Sequence, residues 1–283
     1  MKSYYTALTI AGSDCSAGAG IQADLKTFAA LKCYGMSVIT ALTAQNTQGV
    51  QAIYPIAPDF VCQQLTSITN DIHIGAIKIG MLQSDKIISA ISAKLKNLPS
   101  IPLVVDPVMV AKDGSPLLAK SDIATLKTEL FPLAHLITPN IPEAELLLGY
   151  SITDRTEMKK AACELAEFSP QAVLLKGGHL LEKNESADCL YLASTHSYHW
   201  FTDKKINTRN THGTGCTLSA AIAAFLARGY DLVPAVKQAK DYISAAIAMG
   251  STYQLGQGMG PVHHFYQWWE NSNLLNKKQL SIF

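Results

Sequence analysis

The stretch Asn210-Thr-His-Gly213-Thr-Gly215-Cys216 brings hydroxyls, an imidazole, a thiol and two glycines into seven residues, directly ahead of the apolar run Leu218–Ile222. The pattern predicts a glycine-bearing turn that feeds a helix. First-turn amides have no partner within a helix and sit at its positive end, so such a turn cradles an anion. Thr211, His212, Gly213, Thr214 and Gly215 are therefore candidates to hold phosphate, with Gly213 and Gly215 also candidates to stabilise charge during its transfer. No GxxxxGK[ST] occurs anywhere in the chain, which excludes a Walker-type loop. Cys216 stands where a helix dipole favours a thiolate and is the candidate proton acceptor. The plain alternative for it is a small apolar residue at a helix start.

Phosphoryl transfer also needs cations against the phosphates and a group that orients the attacking hydroxyl. Lys176 ends an apolar strand and is followed by Gly177-Gly178, which leave room for a phosphate. Asp106, Asn140 and Glu143 are the candidates for Mg²⁺, an ion that takes oxygen ligands and keeps several waters. Glu143 also suits the first turn of a helix as a dipole partner. Gly18-Ala-Gly20-Ile-Gln-Ala23 fits GxGxxA in form, but Thr40–Gln45, where a ribose-binding acid would fall, contains none. A dinucleotide reading fails on that point. The same loop reads as a close backbone approach to a small substrate, with Asp24 facing it, or as a plain tight turn.

These residues need strands to present them. Apolar runs at Tyr5–Ala11, Ser37–Thr43, Ala76–Ile79, Ile101–Val105, His135–Thr138 and Ala172–Lys176 read as strands. Helical periodicity covers Ile21–Tyr34 (stopped by Gly35), Pro58–Asp71, Asp85–Leu98, Ile141–Leu148, Thr156–Phe168, Gly215–Arg228 and Val233–Tyr253. Ala187–Ala193 and Ser197–Phe201 read as an antiparallel pair. Uninterrupted apolar strands between helices imply an α/β fold: a single three-layer α/β/α domain with a mostly parallel central sheet. The domain is assigned to 1–270 and a C-terminal tail to 271–283. Ligands of such sheets bind beyond the carboxyl ends of the strands. Gly12, Gln45, Met81, Asp106, Asn140 and Lys176 all follow strands.

Composition narrows the classes. Of 283 residues, 48% are hydrophobic and 16% charged, with a formal net charge of +1 and no long Lys/Arg run. A nucleic acid or membrane surface needs a concentrated positive field, which is absent here. No segment offers the roughly 20 apolar residues of a membrane span. The short apolar start, interrupted by Asp14, does not make a signal peptide. Six cysteines without a CxxC read as reduced cytosolic thiols.

With these motifs in view, the chain resembles the hydroxymethylpyrimidine/phosphomethylpyrimidine kinase family of the ribokinase-like superfamily, from Ala7 to about Tyr266. The carriers are Ala11–Asp24, Ala41–Thr47, Lys78–Met81, Val105–Met109, Thr138–Glu145, Leu175–His179, Thr211–Thr217 and Gly256–Pro261. The resemblance implies ATP and Mg²⁺ dependence and two successive phosphorylations in thiamine biosynthesis. The first acts on the hydroxymethyl of 4-amino-5-hydroxymethyl-2-methylpyrimidine, the second on that monophosphate. It implies that Asp24 and Gln45 hydrogen-bond the pyrimidine while Gly12, Met81 and Val108 line its pocket. Lys176 and the Gly213–Cys216 turn match the triphosphate and anion-hole positions, and Asp106, Asn140 and Glu143 the Mg²⁺ region. A cytoplasmic homodimer is implied as well. Two alternatives remain: a pyridoxal or pyridoxine kinase, disfavoured by Gln45, and a catalytically silent module, disfavoured by Lys176 and the intact glycine turn.

Overall fold

The computed structural model describes residues 2–109, 118–168, 171–178 and 185–269; the tail at 271–283 and His179 lie outside them. Nine described strands build one sheet: β1 (Thr6–Asp14), β2 (Tyr34–Asn46), β3 (Gly49–Pro55), β4 (Ala76–Ile79), β5 (Leu103–Val105), β6 (Leu136–Ile137), β7 (Ala172–Leu175), β8 (Glu185–Leu192) and β9 (Ser197–Lys204). Their spatial order is β3-β2-β1-β4-β5-β6-β7-β8-β9. The run from β2 to β7 is parallel. Only β3, β8 and β9 join antiparallel. The order reverses at β1, whose neighbours are β2 and β4, and that reversal opens a crevice beyond the strand ends.

Helices α1 (Gly20–Ala30), α7 (Thr214–Ala227) and α8 (Leu232–Gly250) cover one face. The other face carries α2 (Pro58–Thr69), α3 (Asp85–Leu95), α4 (Lys120–Thr125), α5 (Ile141–Leu148) and α6 (Arg155–Leu165). Strand alternation explains the division. Ala7, Ala76, Val104, Leu136 and Leu174 point toward α1, α7 and α8, whereas Leu8, Ile77, Val105, Ile137 and Val173 point the opposite way. Both sets are buried, so the central strands read as continuous apolar runs instead of alternating ones. The three-layer expectation holds.

Three local expectations change. The first helix ends at Ala30, and Gly35 does not stop it: Gly35 lies inside β2, paired with Ala7. A side-chain carbon there would come within 2.8 Å of Leu25 Cδ2, so glycine is what lets α1 lie close on the sheet. β3 was not anticipated, because Gly49 and Pro55 bracket a run whose residues are mostly exposed at the sheet edge. α4 and the π and 3₁₀ turns at Leu126–Leu130 and Phe131–Leu133 were not anticipated either.

Candidate active site

The carboxyl ends of the parallel strands open into a single cleft of about 790 Å³. Gly12, Gln45, Met81 and Val108 line one part of it; Asp106, Asn140, Glu143 and Lys176 form its floor; and Thr211–Cys216 closes another wall. Of the residues singled out from sequence, Asp24 alone is absent from this lining. It is wholly buried behind the wall, where Lys78 contacts it at 2.8 Å and Thr9 Oγ1 donates to it at 2.6 Å. Asp24 thus does not line the cleft itself; it pairs with Lys78, which does.

The turn before α7 has the geometry expected of an anion cradle. Gly213 is the N-cap residue at φ 77°, a left-handed conformation. A side-chain carbon on it would stand 1.8 Å from the Gly18 carbonyl oxygen, and one on Gly18 would stand 2.2 Å from His212 Cδ2. The Gly18–Gly20 loop and the Thr211–Cys216 turn are thus laminated together, with glycine where they touch. In the first turn of α7 the Gly215 and Cys216 amides have no intrahelical partner, and both residues line the cleft.

Asp14 locks this lamination. Its carboxylate accepts from the Ser16, Gly18 and Ala19 amides and from Ser16 Oγ, and His212 Nε2 lies 2.8 Å away. Burial presses Asp14 upward, but His212, Ser16 and the loop amides outweigh it and hold it well below the usual carboxylate range. An ionised carboxylate only accepts, so the proton of that contact sits on His212 Nε2. That nitrogen cannot then accept from Gln45 Nε2, 3.3 Å distant. Thr43 Oγ1 lies 3.1 Å from Gln45 Oε1 and 3.0 Å from the Ser13 carbonyl, and its single proton serves one of the two. Gln45 also lines the cleft, where its amide can meet a ligand.

On the floor, Lys176 Nζ donates to Asp106 Oδ1 at 2.7 Å and Thr138 Oγ1 donates to the same oxygen at 3.1 Å, while Ser219 Oγ lies 3.3 Å from Oδ2 but nearer the Gly215 and Cys216 carbonyls. Burial raises the Asp106 carboxyl, but Lys176 and then Lys78 pull it down further, and the net shift is downward. Burial likewise lowers Lys176, and Asp106 with Glu143 more than restores it, so the lysine is a firm cation. Asn140 and Glu143 form a reciprocal cap of α5: Glu143 N donates to Asn140 Oδ1 and Asn140 N to Glu143 Oε2. Burial nevertheless drives Glu143 from an ordinary 4.5 up to about 7, against the pull of Lys176.

This donor set fits Mg²⁺ in a limited way. Asp106 and Glu143 supply carboxylate oxygens beside Lys176, while Asn140 Oδ1 is already committed to the cap. No group of three or more His, Cys, Asp or Glu suited to a metal occurs among the described residues. An ion that needs one or two acids and completes its shell with water and phosphate oxygens is compatible with that arrangement.

Cys216 departs from expectation. Burial pushes its thiol from 9.0 up to about 11, with Lys78 pulling down and Asp24 and Asp106 pushing up. Helix-terminus stabilisation does not overcome desolvation, and the side chain is a thiol at neutral pH.

Some contributors were not legible. Lys78, alone in the apolar run Ala-Ile-Lys-Ile, carried the signal of a buried lysine that must have a partner. Asp203, Lys204, Ile206, Ile243 and Ser244 line the far end of the cleft. They come from β9, the segment after it and α8, not from the ends of parallel strands, so the strand-end rule missed them.

A family model described as phosphomethylpyrimidine kinase matches residues 14–263. The hydroxymethylpyrimidine/phosphomethylpyrimidine kinase of Escherichia coli is 50% identical over 265 residues, covering 93% of this chain and 98% of that protein. Among solved structures, phosphomethylpyrimidine kinase from Clostridium difficile superposes with a TM-score of 0.75 at 45% identity, over 86% of this chain and 99% of that one. Staphylococcus aureus pyridoxal kinase in complex with AMP-PCP and pyridoxal superposes with a TM-score of 0.84 at 34% identity, over 94% and 96%.

Proposed function

This chain belongs to the phosphomethylpyrimidine kinase family, within the ribokinase-like superfamily, and from that premise we propose the following reaction and division of labour. ATP phosphorylates the hydroxymethyl group of 4-amino-5-hydroxymethyl-2-methylpyrimidine, then the resulting monophosphate, in thiamine biosynthesis. The observation that carries the assignment is the Gly213–Cys216 turn, with its first-turn amides lining the same cleft as Lys176 and Gln45.

The Gln45 amide donates to the heterocycle, with Gly12, Met81 and Val108 closing around the ring. That combination of one directed donor and apolar walls is how small ligands are oriented. Lys176 and the amides of Gly213–Cys216 offset charge on the transferred phosphoryl group. Thr211, His212 and Thr214 support that turn: Thr214 Oγ1 donates to the Thr211 carbonyl, and His212 is held by Asp14. Mg²⁺, held with Asp106 and Glu143 and water, supplies further neutralisation of the phosphates when bound. In the first step the thiolate form of Cys216, its own proton already released to solvent, takes the hydroxyl proton as the alcohol becomes an ester. The second acceptor is already a phosphate and needs no such base. Cys216 rests as a thiol, so the base is its minor thiolate fraction, which the nearby charge of Lys78 favours.

A cytoplasmic homodimer is the form the family resemblance supports, and no described helix is long and apolar enough to cross a membrane. A pyridoxal side activity is favoured by the high superposition with a pyridoxal kinase. Incubating the purified protein with ATP, Mg²⁺ and each heterocycle, with products identified by mass, tests the assignment. Mono- and diphosphate from the pyrimidine are expected; phosphorylation of pyridoxal alone would replace the assignment with the vitamin B6 reading.

A further inference from the structure

After α8 the chain crosses the top of the cleft as Gly256-Gln-Gly-Met-Gly-Pro261, with glycine at every second position from 256 to 260. Each of the three is pressed against a neighbour. A side-chain carbon on Gly256 would lie 2.3 Å from Thr47 Oγ1, and one on Gly258 would lie 1.9 Å from the Thr47 carbonyl oxygen. On Gly260 it would lie 2.2 Å from Asn210 Oδ1. A loop serving only to leave a helix needs no such approach.

The hydrogen bonds run from one substrate wall to the other. Met259 N donates to the Thr47 carbonyl at 2.8 Å and Gly258 N to Thr47 Oγ1 at 3.1 Å. One residue further, the Gly260 carbonyl accepts from His212 N at 3.0 Å, and His212 pairs with Pro261 as an isolated bridge. Asn210 anchors the same turn to the end of α8, donating to the Gly250 and Tyr253 carbonyls at 2.7 and 2.6 Å. Thr47 lies two residues beyond Gln45, and His212 directly precedes Gly213. Two strap residues, Met259 and Gly260, thus fix the spacing between the Gln45 wall and the phosphate turn.

We infer that Gly256–Gly260 is a positioning strap and Thr47 its positioning residue: it sets the distance between the attacking alcohol and the transferred phosphate. The inference deepens the kinase reading and rests on it for its kinetic consequence. In-line transfer is sensitive to displacements of about 1 Å, which cost on the order of 100-fold. Letting the turn drift leaves ATP bound while the alcohol is out of line, so water takes a larger share of the phosphoryl groups.

The test compares Thr47→Val, which keeps shape but removes the acceptor for Gly258 N, with Thr47→Ser, which restores it. Thr47→Val is expected to lower kcat for the pyrimidine about 10-fold. KM for ATP should stay within about twofold, ADP released per phosphopyrimidine should rise above one, and Thr47→Ser should recover both rate and coupling. Amide hydrogen exchange at 211–216 is expected to quicken about 10-fold in Thr47→Val only. Wild-type kcat and coupling in Thr47→Val overturn the inference, as does equal damage in both variants with a matching fall in Tm. If wild-type protein leaves the pyrimidine untouched, the kinase reading fails instead, and the exchange measurement alone decides the strap: unchanged exchange at 211–216 overturns it.

Discussion

Lys78 Nζ lies 3.0 and 2.8 Å from the two carboxylate oxygens of Asp24, and neither side chain has exposed surface. The pair stands between the first strand crossover and the cleft, and it puts a fixed cation near Cys216. Burial works to discharge Lys78, but Asp24 more than compensates and holds its pKa upward.

Breaking a buried pair on one side leaves an uncompensated charge, at roughly 3–5 kcal/mol. Lys78→Met is therefore expected to lose about that much stability in urea titrations at pH 8. Without the lysine, Asp24 escapes by protonation, so the folded state binds more protons than the unfolded chain. The deficit should then shrink as pH falls toward 5. Lys78→Met combined with Asp24→Leu should recover part of the loss. A double variant no better than the single one would show that the pair is not the unit.

Glu143 predicts a pH dependence of metal use. Its carboxyl, raised to about 7 chiefly by burial, keeps its proton in the folded state where the unfolded chain has lost it. The stability this contributes is present below about 4.5 and is lost as pH rises through about 7. Mg²⁺ binding needs the ionised form, so its apparent affinity should climb between pH 6 and 8 by up to about tenfold per unit and then level. Glu143→Gln should flatten both trends. Titrations of Mg²⁺ against ATP-bound protein across that range check it; a pH-independent affinity in the wild type would remove Glu143 from the metal site.

Cys216 is expected to alkylate slowly. With its thiol raised to about 11, the thiolate fraction at pH 7 is on the order of one in ten thousand, and the rate should rise about tenfold per pH unit up to at least pH 9. Cys15, exposed at the rim, is the internal reference. Peptide mass analysis after iodoacetamide separates the two. Cys216→Ser should slow the first phosphorylation by about 100-fold or more while sparing the second, because only the first acceptor must lose a proton. Wild-type rates in both steps would reduce Cys216 to packing.

Periodicity and strand-end placement made the architecture and most of the cleft legible, since both follow from local residue order. What they could not carry was direction. Asp24 and Gln45 looked equivalent as polar residues near a glycine loop, yet α1 turns Asp24 inward to Lys78 while β2 leaves Gln45 on the cleft. The dipole acting on Cys216 belongs to its own helix, α7, and is readable locally. The burial that decides its protonation comes from loops and strands distant in sequence. The edge strand β3 and the Thr47 contacts of Gly256 and Gly258 were hidden for the same reason: each depends on a pairing between segments that no local pattern announces.

Substrate choice should turn on Gln45. Its side chain lines the cleft and finds no acceptor at His212, so its NH₂ is available to a cleft ligand. A site built to donate discriminates against ligands that cannot accept there, because a buried donor left unpaired costs roughly 1–3 kcal/mol. Gln45→Met removes that donor and leaves an apolar wall. The pyrimidine should lose about 10- to 100-fold in kcat/KM while pyridoxal changes little or gains, moving the ratio of the two toward pyridoxal. Initial rates for both heterocycles at saturating ATP read this directly. A ratio unchanged from wild type would mean that Gln45 does not touch the ring, and the donor that orients the substrate would have to be sought on another wall of the cleft.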